Sequence, residues 1–274
     1  MPPWRAMPDG LKAGFPTYWT TFGQGPEAAL AIHCSLAHSG SWSGLARHLS
    51  GALTLTAFDM PGHGRSGAWD GRGEIQKVTA EIAADLLDDP AHFVGHSFGA
   101  TVALRLAVMR PELVRSLVLI EPVFFAVALD DHPEMREGFA AQMSGFAEGM
   151  ATGDRHAAAR AFLSVWGNGA EWQSLGAEER DRLAAQMPLV EAGHAALYDD
   201  VGGLLAPGVL QGVTQSALLI EGSESPDIIG AINEGLAARL PNAERAVMAG
   251  AGHMVPISHP RQVSAEILRF LRDV

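Results

Sequence analysis

The stretch Phe93-Val94-Gly95-His96-Ser97-Phe98-Gly99-Ala100-Thr101-Val102-Ala103 restricts the possible folds more than any other part of the chain. The apolar run His92-Phe93-Val94 predicts a buried strand, and the Ala/Leu-rich segment up to Met109 has helical spacing. Between them stands Gly-x-Ser-x-Gly, so Ser97 falls on a sharp turn from strand to helix. A turn that tight brings strand and helix backbone too close for a Cβ at Gly95 or Gly99. The helix that begins after Ser97 points free N–H groups and a positive dipole end at the serine's surroundings. Ser97 is therefore a candidate nucleophile.

The rest of the chain alternates between strand and helix on either side of this turn. Residues 1–16 hold four prolines and two glycines and read as a loose arm. Strands are expected at Tyr18–Phe22, Ala28–Ile32, Leu53–Phe58, Leu117–Ile120, Ala217–Ile220 and Arg245–Met248. Helices are expected at Trp42–Leu49, Ile75–Leu87, Ile228–Leu240 and Pro260–Val274. From about Phe124 to Pro207 the strand signal vanishes, and helical stretches such as Arg155–Trp166 and Glu178–Val190 take its place. This pattern describes a parallel α/β sheet with a helical block inserted after the strand ending at Ile120. The expected division is a core of residues 1–123 and 208–274 with a helical cap of residues 124–207.

Composition narrows the function classes. The chain has 274 residues, enough for one large α/β domain, and 47% of them are apolar against 18% charged. A formal charge of −12 disfavours nucleic acid and acidic membrane surfaces as partners. No apolar run approaches the roughly 20 residues of a membrane span, and Met1-Pro2-Pro3-Trp4-Arg5 lacks the order of a signal peptide. The single cysteine, Cys34, excludes an internal disulfide and fits a cytoplasmic protein. Nothing in the sequence chooses between a monomer and a homodimer.

Four pieces in order resemble the α/β-hydrolase family, in its capped serine-esterase-like branch: the loop from His33, Asp59-x-Pro-Gly-His-Gly-x-Ser66, the Ser97 turn, and Ala249-Gly250-Ala251-Gly252-His253-Met254-Val255-Pro256. The resemblance implies a mostly parallel eight-stranded sheet flanked by helices and a cofactor-free serine hydrolase. Acyl transfer needs a nucleophile, a base, a group that orients the base, and donors for the oxyanion. The resemblance makes His253 the base. The family's usual acid position reads Ser225 here, within Gly222-Ser223-Glu224-Ser225-Pro226, and a serine supplies no negative charge. Two replacements stand: Glu121, at the end of the strand after the nucleophile strand, or Asp227 (less readily Glu224) on the usual loop. Glu121 is favoured because a carboxylate behind four apolar strand residues is costly unless paired. Asp227 has the competing role of an N-cap for the following helix.

The resemblance also implies oxyanion donors from the backbone of Phe98 and of the loop after His33, by register Ser35 or else Leu36. Many relatives carry His-Gly where this chain has His33-Cys34. Cys34 reads as inert packing, and His33-Cys34-x-x-x-His38 lacks the second half of a metal site. No metal and no dinucleotide cofactor are expected. His96, Met254, Trp166 and Phe124 are candidates to line the substrate site. In the cap, Met135, Phe139, Met143, Phe146, Met150, Phe162, Trp166 and Met187 are divided between an acyl pocket and plain helix packing. The expected activity is cleavage of a small or medium, largely apolar carboxylic ester through an acyl-enzyme on Ser97. A carbon–carbon bond hydrolase or lactonase on the same residues is the alternative, and a non-catalytic small-ligand-binding protein is the alternative of another class.

Overall fold

A computed structural model describes residues 9–274. In chain order its elements are β1 (Gly10–Lys12), β2 (Phe15–Thr17), β3 (Trp19–Phe22), β4 (Glu27–Ile32), α1 (Ser43–Leu49), β5 (Leu53–Phe58), α2 (Ile75–Asp85), β6 (Ala91–His96), α3 (Phe98–Met109) and β7 (Val114–Ile120). A run of helices follows: α4 (Phe125–Asp131), α5 (Met135–Thr152), α6 (Arg155–Trp166), α7 (Ala177–Ala192) and α8 (His194–Tyr198). The chain then returns to the sheet with β8 (Ser216–Gly222), α9 (Asp227–Arg239), β9 (Ala243–Met248), α10 (Val255–Ser258) and α11 (Pro260–Phe270).

The main sheet has the order β3-β5-β4-β6-β7-β8-β9. Only β3 runs antiparallel; the other neighbours are parallel. Eight strands were expected, and this sheet has seven among the described residues. The chain before β3 forms a separate hairpin of β1 and β2, with Lys12 opposite Phe15. Its two-residue turn, Ala13-Gly14, has both φ values positive, the hairpin geometry that matches strand twist. The expected loose arm is thus a hairpin over 10–17, while residues 1–8 lie outside the described residues.

Strand alternation divides the core into two layers. On one face Leu30, Ile32, Phe93, Leu117 and Leu219 meet α2, α3 and α9. On the other Ala31, Val94, Val118 and Ile220 meet Leu45 and Leu49 of α1 and Val263, Ile267 and Phe270 of α11. The central strands β6 and β7 are covered on both sides, which is why their middle stretches, Phe93-Val94 and Leu117-Val118-Leu119-Ile120, are apolar without alternation. The inserted helices have a small core of their own around Ala158, Ala159, Leu183, Ala184 and Met187. Among the described residues no helix is long and apolar enough to cross a membrane.

Two local devices hold the loops above the sheet. At the Ser97 turn, a Cβ on Gly99 would lie 2.1 Å from the Ile32 carbonyl oxygen, and one on Gly95 would lie 2.5 Å from the Ala100 Cα. Both glycines are therefore required by backbone crossing, while Ser97 takes the strain with φ of +55°. The second device is Asp59, whose carboxylate accepts from Ser39 N at 2.6 Å and Arg65 N at 2.7 Å. It ties the end of β5 to the loop that follows β4. His33 adds to this brace: Nδ1–H donates to the Cys34 carbonyl at 2.7 Å and Nε2 accepts from Met60 N at 3.0 Å. That pairing requires the neutral ring. His63 packs edge-on against His33 with ring centroids 5.2 Å apart, and its Nδ1–H donates to the Pro61 carbonyl at 3.0 Å.

Burial disfavours charge on both rings: His33 is held well below the ordinary histidine range, and His63 is lowered to about 4. Above pH 6.5 both are neutral in folded and unfolded chains alike. Below it the unfolded chain binds protons first, so stability falls with pH from about 6.5 down to about 4, by up to about 1.4 kcal/mol per pH unit for each histidine. Urea unfolding at pH 7.5 and pH 5.0 checks this: the midpoint drops at the lower pH, and His63→Gln shows a smaller drop. Gly99→Ala loses several kcal/mol or fails to fold, read as soluble yield and urea midpoint, because the Ile32 backbone has no room to give.

Candidate active site

Three chain segments converge above the carboxyl ends of the central strands. Ser97 stands between β6 and α3, Glu121 directly follows β7, and His253 lies on the loop between β9 and α10. Ser97 Oγ is 3.0 Å from His253 Nε2, and His253 Nδ1 is 2.9 Å from Glu121 Oε2. A carboxylate only accepts, so Nδ1 carries the proton and Nε2 is left to accept from the Ser97 hydroxyl. Exposures of 6% for Ser97, 5% for His253 and 0% for Glu121 keep water from competing for these bonds. Glu121 has φ of +52°, and its N–H donates to the Ile220 carbonyl at 2.8 Å, which turns the side chain inward as the chain leaves the sheet. The arrangement can pass a proton from a hydroxyl to an imidazole whose orientation a carboxylate fixes.

Asp227, the alternative acid, is exposed on the first turn of α9 and lines a separate groove with Glu221 and Arg245. Pro226 holds the N-cap position, so Asp227 sits where a negative charge favours the helix dipole and does not cap it. Glu224 is exposed on the preceding turn.

Above Ser97 opens a cavity of about 620 Å³. Ser35, Ser97, Phe98 and Val123 form its floor, and the inserted helices supply the remainder. Phe98 is the first residue of α3, so its N–H is among those a helix leaves without an internal acceptor. Ser35 lines the same space, whereas Leu36, with φ of +67°, packs toward the core of the inserted helices. The Cys34 thiol is buried and pushed up to about 12 by desolvation, which keeps it protonated and unreactive. Among the described residues no group of three or more His, Cys, Asp or Glu side chains is placed to hold a metal ion.

Trp166 lines the cavity as expected, packs edge-on to His253 with centroids 4.8 Å apart, and points Nε1–H at Met143 Sδ at 3.4 Å. The other three expected lining residues do not reach it. His96 has the side-chain parity of Val94, so it faces the opposite layer of the sheet. There its Nε2–H donates to the His253 carbonyl at 2.9 Å, and burial lowers it to about 3. Phe124 is fully buried in the core beneath α4, and its neighbours Val123 and Phe125 line the cavity instead. Met254 caps α10, where the chain has already turned away.

The apolar residues of the insert divide between both expected uses. Met143, Phe146, Met150, Phe162 and Trp166 line the cavity. Phe139 supports Phe125 from behind at 4.8 Å, Met187 fills the insert's own core, and Met135 borders the separate groove. Sequence reading missed Val123, Phe125, Leu197 and Tyr198 as lining residues. The only available signal was the chain's return toward Ser97 at both ends of the insert.

The fold agrees with comparisons to known proteins. A model of the alpha/beta hydrolase family matches residues 29–266. A pimeloyl-[acyl-carrier protein] methyl ester esterase from Aeromonas salmonicida is 31% identical over 255 residues, covering 91% of this chain and 96% of that protein. Lipase LipV from Mycobacterium tuberculosis is 44% identical over 110 residues, covering 39% of this chain and only 40% of the lipase. In structure, the enol-lactonase from Burkholderia xenovorans superimposes with a TM-score of 0.72 at 20% identity, covering 96% and 99% of the two chains. That likeness concerns the fold. With a family match across most of its length and a full-length relative above 30% identity, this chain belongs to the alpha/beta hydrolase family.

Proposed function

We propose that this protein is a serine hydrolase that cleaves a small or medium, largely apolar carboxylic ester through an acyl-enzyme on Ser97. The observation that carries this reading is the buried Ser97–His253–Glu121 relay at the base of an apolar cavity. The esterase relatives support the same class of chemistry. In this reading the inserted helices, residues 124–207, act as a cap on a core of residues 1–123 and 208–274.

The ester carbonyl sits over Ser97 with its acyl chain among Met143, Met150, Phe162 and Trp166. His253 Nε2 takes the hydroxyl proton as Oγ attacks, and Glu121 stabilises the imidazolium that forms. The backbone N–H groups of Phe98 and Ser35 receive the oxyanion; a donor of this kind is worth about 3 kcal/mol. The alcohol leaves with the proton from His253. Water, deprotonated by the same nitrogen, then attacks the acyl carbon and releases the acid and Ser97. Among the described residues the cavity lining holds Glu191 but no Arg or Lys, which favours an uncharged acyl chain over one ending in a free carboxylate. Its apolar wall rewards chain length: each added methylene that becomes buried contributes about 0.8 kcal/mol, close to fourfold in kcat/KM, until the cavity is full.

Intact-mass analysis after treatment with a fluorophosphonate tests the nucleophile. One adduct is expected on the wild type and none on Ser97→Ala; folded wild-type protein that stays unlabelled overturns the reading. On p-nitrophenyl esters, Glu121→Gln lowers kcat by on the order of 10³-fold, whereas Asp227→Asn leaves it near the wild-type value.

A further inference from the structure

Glu121 Oε2 is committed to His253, and its other oxygen has two partners of its own. Oε1 accepts from Gly222 N at 2.6 Å and from the Ser225 hydroxyl at 2.7 Å. We propose that Ser225 is a positioning residue: with Gly222 N–H it clamps Oε1, so that Oε2 is presented to His253 in a single orientation. This rests on the reading of Glu121 as the acid of the relay.

The need for such a clamp follows from the side chain. A glutamate reaching from a strand end has three rotatable bonds, and holding them in one arrangement costs rotamer entropy. The backbone is strained as well, with φ of +52°. Burial is complete, so each carboxylate oxygen must find its donors within the protein. The hydrogen bonds to the Glu121 carboxylate come from Gly222, Ser225 and His253, with no arginine or lysine among the described residues in an ion pair with it. Arg245, on β9, is engaged with Glu221. A guanidinium at Oε1 would compete for the negative charge that His253 needs when it becomes an imidazolium. A hydroxyl orients the carboxylate without adding charge.

Ser225 is itself well fixed. Its N–H donates to the Gly222 carbonyl at 3.2 Å, closing a turn over the end of β8, and Pro226 follows at the N-cap of α9. The acid from β7 is thus held by a loop from β8, and the orientation of His253 depends on both strands.

Removing the Ser225 hydroxyl leaves Oε1 with one donor. The carboxylate then rotates more freely, and Oε2 is no longer presented to His253 in a single orientation. The test compares Ser225→Ala, Ser225→Thr and Glu121→Gln with wild type on a p-nitrophenyl ester. Ser225→Ala is expected to lower kcat about 5–30-fold with KM within twofold, in line with loss of one buried hydrogen bond. Ser225→Thr, which keeps a hydroxyl, recovers most of the rate. The proposal is overturned if Ser225→Ala keeps the wild-type kcat while Glu121→Gln is impaired. It is also overturned if Ser225→Thr is as slow as Ser225→Ala, since the hydroxyl is then not what matters. If Glu121→Gln itself turns over like wild type, the acid assignment fails and the clamp falls with it. Circular dichroism and a thermal midpoint for each variant separate these outcomes from loss of fold.

Discussion

A carboxylate with no solvent contact is tolerated only where donors surround it, and Glu121 is the group whose satisfaction organises this site. Its backbone N–H is held by β8, one oxygen by the loop after β8, and the other by the imidazole on the loop after β9. Three separate pieces of chain must therefore arrive together before the charge is accommodated. The sheet brings them together because β7, β8 and β9 are adjacent and parallel, so their carboxyl ends open on the same edge. Ser97 joins from β6, the next strand along, under the same rule.

What was legible in the sequence followed how local the cause was. The Ser97 turn declared itself because two glycines and a strand–helix boundary lie within eleven residues, and steric crossing of backbone is a short-range matter. The alternating strands were readable because β6 and β7 are buried on both faces. Glu121 was inferable from the cost of burying a charge behind an apolar run. Its clamp at Ser225 was not, since the partners stand 104 residues apart and only tertiary folding reveals the bond.

The misplaced lining residues have equally physical explanations. His96 and Ser97 are neighbours in sequence, yet pleating sends the first to the far layer of the sheet while the turn lifts the second into the cavity. Phe124 and Phe125 divide the same way, one into the core and one toward the site. Proximity in sequence to a reactive group is a poor guide wherever side chains alternate. The eighth strand failed for a different reason: a two-residue turn at Ala13-Gly14 satisfied those backbone groups locally, so the sheet edge was not needed.

Between Glu121 and the first inserted helix lie only Pro122, Val123 and Phe124. The stalk of the insert is therefore also the mount of the carboxylate. Trp166, at the far end of α6, meanwhile rests on the imidazole. Replacing the insert with that of another family member is thus not a neutral exchange of specificity modules. A graft cut at this junction would carry away a face of the histidine's packing and load the backbone beside the acid. Chimeras of this chain call for a junction placed beyond Val123 and for a donor helix that returns an aromatic ring to the place of Trp166.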